Sequence, residues 1–300
     1  MDDQLMGQGR CADAHVFENT RGQKLSCKYW NSYNQQLRCL VFISHGVGEH
    51  SMCYNDMAKT LTEEGCTVFS HDHVGHGESE GTRVHIDDFS FYCDDVVAHV
   101  KKIKERHVNL PCFIIGHSMG GTVAIIAALK NPDLFSGVIL ISPAILADDR
   151  NVGSFKIFLA RMAGKIWPSM QIGSISPEWL SRDAEICRKY VEDPLVWHGG
   201  LKARWACCML DSMNYIQNNL EKITFPFLLL HGSEDKICQL QGSTLMLEKS
   251  SSTDKTLKVY QGAYHQVHHE LAETEIEVLR DISKWIISRT SHASTEVYAK

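Results

Sequence analysis

The pentapeptide Gly116-His117-Ser118-Met119-Gly120 constrains this chain more than any other feature. It follows the apolar run Cys112-Phe113-Ile114-Ile115 and precedes residues 122–130, a helical stretch closed by Asn131-Pro132. A serine between glycines at that point predicts a strand, a turn too tight for flanking β-carbons, and then a helix. Such a turn pushes the serine into the open at a helix start, where amide dipoles favour negative charge. The competing reading is an ordinary glycine-rich connection between a strand and a helix.

The rest of the chain alternates in the same way. Short apolar runs at 40–44, 67–70, 112–115, 138–141, 227–230 and 257–260 read as buried strands. Residues 57–64, 88–106, 122–130 and about 273–288 read as helices. Continuous apolar strands separated by helices imply an α/β fold, a mostly parallel sheet covered on both faces. Residues 147–221 depart from this pattern. They show helical periodicity, no convincing strand, and Trp167, Trp179, Trp197 and Trp205. We expect a core of residues 1–146 and 222–300, with 147–221 as a helical cap lying over one end of the sheet.

A serine hydroxyl needs a base to become nucleophilic, and the base needs an orienting acid. In this topology the order is serine, acid, histidine. After the strand at 227–230 comes His231-Gly232-Ser233-Glu234-Asp235, and after 257–260 comes Gln261-Gly262-Ala263-Tyr264-His265. Loops after strand ends converge on one site in an open α/β sheet. Asp235 is therefore the expected acid, with Glu234 its rival. His265 is the expected base, with His268 and His269 its rivals. An oxyanion needs backbone donors. The expected pair is the Met119 amide and the Val47 amide, from the turn His45-Gly46-Val47-Gly48.

Other readings are weaker. His71, Asp72, His73 and His76 suggest zinc, but the run follows a strand and is threaded by Gly75 and Gly77, so a turn fits better than a metal site. No metal or cofactor is expected. A net charge of −6 disfavours nucleic acid as a partner. Eleven cysteines, with no C-x-x-C, point to reduced thiols and a cytoplasmic protein. The acidic, polar start is unlike a signal peptide, and the longest apolar run, 123–129, is far too short to span a bilayer. Phe155, Phe158, Leu159, Met162, Ile166 and Trp167 share one helical face, with Lys156, Arg161 and Lys165 among them and no acid from 151 to 173. That pattern suits a membrane-surface helix or a cap helix packed on its own domain. Peripheral membrane association and a homodimer are both compatible with it.

The runs His45-Gly46-Val47-Gly48-Glu49-His50, His71 to Gly81, Gly116 to Gly121, Asp254 to Lys258 and Gly262 to His265 together resemble the monoglyceride lipases of the α/β-hydrolase superfamily. The resemblance extends from about Gly22 to Arg289. It implies hydrolysis of a monoacylglycerol to glycerol and a free fatty acid, a helical cap over an apolar acyl channel, and membrane docking. It implies the triad Ser118, Asp235 and His265, with oxyanion amides at Val47 and Met119. Glu49 and His268 match the glycerol end, and Phe155, Leu180, Leu201 and Ile237 are expected against the substrate. Cys53 departs from the mammalian pattern, which has arginine, and Gln266 stands in place of an apolar residue. Between residues 189 and 213, Trp197 and Arg204 replace smaller residues. A lysophospholipase or general carboxylesterase is the alternative within the hydrolases, and a catalytically silent lipid-binding protein the alternative outside them.

Overall fold

A computed structural model of the protein describes residues 15–32, 37–147 and 166–290. Eight strands form one sheet: β1 (Val16–Glu18), β2 (Lys24–Trp30), β3 (Cys39–Ser44), β4 (Cys66–His71), β5 (Cys112–His117), β6 (Gly137–Ile141), β7 (Phe227–Gly232) and β8 (Lys255–Tyr260). Their order is β1-β2-β4-β3-β5-β6-β7-β8. The pairs from β4 to β8 are parallel, whereas β1–β2 and β2–β4 are antiparallel.

The strands read as continuous apolar runs because both sheet faces are buried, and the period-2 alternation of strand side chains divides each run between two cores. Leu40, Phe42, Ile114, Leu140 and Leu229 face one core. Val41, Ile43, Phe113, Ile115, Ile139 and Leu230 face the other. The first core is closed by α2 (Ser90–Lys104), α3 (Met119–Lys130), α5 (Ala203–Gln217) and α6 (Leu240–Lys249). The second is closed by α1 (Asn55–Glu63) and α7 (Ala272–Ser288), through Met57, Leu61, Val278, Ile282 and Trp285.

The six predicted strands are all present as β3 to β8. The antiparallel pair β1 and β2 adds an edge that an apolar-run search does not detect, since β2 alternates Lys24, Ser26 and Lys28 with Leu25, Cys27 and Tyr29. Helix α3 begins at Met119 and not at residue 122. Glycine is a poor helix former, but Gly120 lies so close to Ser44 and His45 that a β-carbon there would collide with both carbonyls. Tertiary packing therefore overrides propensity at this point.

Between β6 and β7 the chain leaves the sheet and returns. The described part of this excursion contains α4 (Ala184–Glu192), α5, a short turn Pro177–Trp179 and one isolated bridge, Gln171 to Lys202. Parallel register brings the carboxyl ends of β3, β5, β7 and β8 to one side, and the loops after them meet there.

Candidate active site

Ser118 sits at the junction of β5 and α3 with φ 53° and ψ −118°. A non-glycine residue held in that region stores roughly 1–3 kcal/mol of backbone strain. Surrounding hydrogen bonds hold the conformation in place. The Ser118 amide donates to the Ile141 carbonyl at 3.0 Å, and the Ser118 carbonyl accepts from the amides of Gly121 and Ala144. A β-carbon at Gly116 would strike the Gly120 carbonyl. Both glycines of the pentapeptide are thus required by close approach of backbone.

Asp235 and His265 come together as the strand order requires. His265 Nδ1 lies 2.8 Å from Asp235 Oδ2. The amides of Ile237 and Cys238 donate to Asp235 Oδ1 at 2.8 and 2.9 Å. Burial would raise this carboxyl, but the His265 and His231 rings beside it prevail and hold it well below the usual carboxylate range. An ionised Asp235 keeps the proton on His265 Nδ1 and leaves Nε2 as the basic nitrogen. Glu234 is exposed, and the carboxylate bonded to His265 is that of Asp235. Ser118 Oγ contacts Cys238 Sγ at 4.0 Å, and among the described residues it makes no hydrogen bond to His265. The imidazole of His117, next to Ser118 in the chain, lies 4.8 Å from that of His265, centre to centre. Serine–histidine contacts of this kind are often loose without substrate and tighten in the reacting complex.

The amides of Val47 and Met119 donate no hydrogen bond among the described residues. Gly46 is needed in the Val47 turn, because a β-carbon would press on Glu49 and His117. Gly48, at φ 78°, offers its carbonyl to the Trp197 amide at 2.8 Å and so ties this turn to the excursion.

Glu49 is buried beneath the same loop. Its Oε2 accepts from the Gly46 amide at 3.0 Å and the Tyr54 hydroxyl at 2.5 Å, and lies 3.3 Å from His117 Nδ1. Its Oε1 accepts from Gln266 Nε2 at 2.6 Å. Burial opposes the charge, yet His117 and the Tyr54 hydroxyl hold the Glu49 carboxyl well below its ordinary value. His268 is buried and stacks on Tyr54 at 5.2 Å. Burial and the neighbouring His269 push it well below the ordinary histidine value, so it is neutral. His268 and His269 lie in a short turn, Val267–His269, and the histidine of this loop that bonds the Asp235 carboxylate is His265.

Of the expected substrate contacts, Leu180 is buried and its carbonyl accepts from the Gln266 amide at 2.7 Å. Leu201 borders a cavity of about 290 Å³ with Val47, Gly48, Tyr190 and Trp197. Ile237 is half-buried and packs on the first core, in the loop that carries Asp235. Phe155 lies outside the described residues, as does most of the basic amphipathic segment. A second cavity of about 270 Å³ is bordered by Glu49, Cys53, Tyr190, Asp193, Gln266 and His269.

Three residues escaped the sequence reading. His231, four positions before Asp235, places Nε2 3.2 Å from the same carboxylate oxygen that His265 uses. Its position at a strand end was the available signal. Glu270 accepts from Arg182 and from the Tyr264 amide, anchoring the His265 loop to the excursion. Cys238 carried no signal, since it meets Ser118 only through the fold. The His71 to Gly81 run is structural: Asp72 accepts from Ser51 and the Glu78 amide, and a β-carbon at Gly77 would collide with that carboxylate.

Residues 35–272 match the family model described as serine aminopeptidase, S33. Human monoglyceride lipase is 41% identical over 277 residues, spanning 92% of this chain and 91% of its own. The rat monoglyceride lipase is 40% identical over 275 residues, with 92% and 90% covered. The chain belongs to the monoglyceride lipase family. Within it, the crystal structure of Paleococcus ferrophilus monoacylglycerol lipase superimposes with a TM-score of 0.78 at 31% identity, over 88% of this chain and 99% of the other. This α/β-hydrolase family membership agrees with the mostly parallel eight-stranded sheet and the strained serine turn.

Proposed function

We propose that this protein is a serine hydrolase that cleaves monoacylglycerols to glycerol and a free fatty acid. The observation that carries the proposal is the Asp235–His265 pair, held at 2.8 Å on the same side of the sheet as the strained Ser118 turn. Ser118 attacks the ester carbonyl while His265 Nε2 takes its proton. The carbonyl oxygen becomes an oxyanion facing the Val47 and Met119 amides, and backbone donors of this kind need little reorganisation as charge develops. The tetrahedral intermediate collapses, His265 returns the proton to the leaving glycerol oxygen, and an acyl group remains on Ser118. Water then adds with the same proton relay, releasing the acid and restoring the serine. No cofactor enters these steps.

Residues 147–221 act as the lid of this site. Leu180, Leu201 and Ile237 face the acyl chain, while Glu49 and His268 face the glycerol end. Ile166, Trp167, Met170, Ile172 and Trp179 are all exposed, an apolar patch that suits peripheral contact with a membrane. No helix among the described residues is long and apolar enough to cross one. None of the described cysteines is in a disulfide, which suits a reducing cytoplasm. A second copy of this chain is the other occupant the patch could take.

The Gln266–Glu49 bond and Cys53 favour a second reading, a lysophospholipase or general carboxylesterase, because both alter the polar end. Rates on monoolein, a lysophospholipid and a short ester, each with and without liposomes, separate these readings. Monoolein should be preferred and liposomes should raise its rate. Equal rates on all three would overturn the monoacylglycerol assignment. A dimer in place of membrane binding would appear as concentration-dependent activity with no liposome effect.

A further inference from the structure

The seam between core and excursion carries a cluster that hydrolysis does not use. His50 precedes the turn Ser51–Tyr54, Cys53 lies within it, and Asp193 follows α4. One ligand atom from each of these three side chains lies within 4.8 Å of the others. Among the described residues, this is the one set of three histidine, cysteine, aspartate or glutamate side chains with ligand atoms so close. His50 is buried, and Cys53 and Asp193 are half-buried.

We propose that His50 Nε2, Cys53 Sγ and an Asp193 oxygen form a zinc site that bridges core and excursion. Donor chemistry selects the ion. A thiolate with an imidazole suits zinc, whereas magnesium and calcium prefer all-oxygen sets. Tetrahedral zinc with ordinary bond lengths separates its ligands by about 3.3–3.6 Å. His50 Nε2 and Asp193 Oδ2 now share a hydrogen bond at 2.9 Å, so that pair opens slightly to admit the ion. On binding, the His50 proton moves from Nε2 to Nδ1 and the Cys53 thiol releases its proton to solvent. Three protein ligands leave a fourth position for water, and the cavity bordered by Cys53, Asp193, Glu49 and Gln266 provides room for it.

The location gives the ion a consequence. Two ligands belong to the core beside Glu49 and one to the excursion, so zinc fixes the width of the cavity at the polar end. Zinc therefore slows hydrolysis, a corollary that rests on the proposed function; the binding itself does not.

Cobalt(II) titration of the full-length protein tests binding without reference to activity. The expected result is one equivalent bound, with a thiolate-to-cobalt charge-transfer band that zinc abolishes. Cys53→Ser should remove the band and Asp193→Asn should weaken cobalt binding about 10-fold or more. Cys187→Ser, at the other half-buried described cysteine, should leave the band intact. Circular dichroism establishes that each variant is folded, and Asp193→Asn, on the excursion, serves if Cys53→Ser is not. No band in the parent protein, or a band that survives Cys53→Ser, would overturn the site. Zinc inhibition that is undiminished in Cys53→Ser would place the inhibiting ion elsewhere and overturn the corollary.

Discussion

The two ends of the candidate site are built by different means. At the serine end, main chain does the positioning: amides hold Asp235, a carbonyl of β6 holds the Ser118 amide, and Gly116 and Gly120 let backbone pass backbone. At the Glu49 end, side chains do most of it: Tyr54, His117 and Gln266 join the Gly46 amide on one carboxylate, and His50 reaches Asp193 across the seam. A backbone-built end tolerates few substitutions and keeps one chemistry. A side-chain-built end can be altered by single residues, Cys53 and Gln266 among them.

That contrast can be broken first at the serine. Ser118→Ala should lower monoolein turnover by about 10⁴-fold or more while leaving the melting temperature nearly unchanged. Substantial residual turnover would mean that the strained turn serves packing alone. Gly120→Ala should instead cost about 3 kcal/mol or more of stability, because its β-carbon meets two carbonyls of the β3 loop. Denaturant unfolding checks this, and a loss below 1 kcal/mol would show that the backbone can yield there.

A pH series sharpens the comparison between the ends and the core around them. Burial lowers His76 and His99 to about 3 and His269 to about 4. Unfolded, these rings titrate near 6.5, so below that pH the unfolded chain binds more protons than the folded one. Stability is therefore full above about pH 6.5 and falls as pH drops from there towards 3, by up to ~1.4 kcal/mol per pH unit for each such ring. Chemical unfolding between pH 8 and 5 should show that slope, and a flat profile would contradict it. The smallest effect is expected at the polar end. Gln266→Leu removes the donor to Glu49 Oε1 and should change the ratio of monoolein to short-ester rates by about 10-fold, measured as kcat/KM.

Much of the core was legible because its signals are local. Parallel strands buried on both faces show up as apolar runs, and Ser118, Asp235 and His265 each follow such a run. Strand β2, next to the edge strand β1, was not legible, since its alternating pattern includes lysines and it pairs antiparallel with both neighbours. Contacts made by long-range folding left no trace in one dimension. Gln266 and Glu49 are 217 residues apart, His50 and Asp193 are 143 apart, and Cys238 reaches Ser118 over 120. The run from His71 to Gly81 was legible as a turn, but its reason, the clasp of Asp72 on Ser51 and Glu78, required coordinates.

Covalent trapping tests the account most directly. Monoolein mixed with the enzyme, quenched in acid within a turnover and analysed by peptide mass spectrometry, should yield an oleoyl ester on Ser118. Rapid hydrolysis with the acyl group on another residue, or on none under conditions where deacylation is rate-limiting, would contradict it.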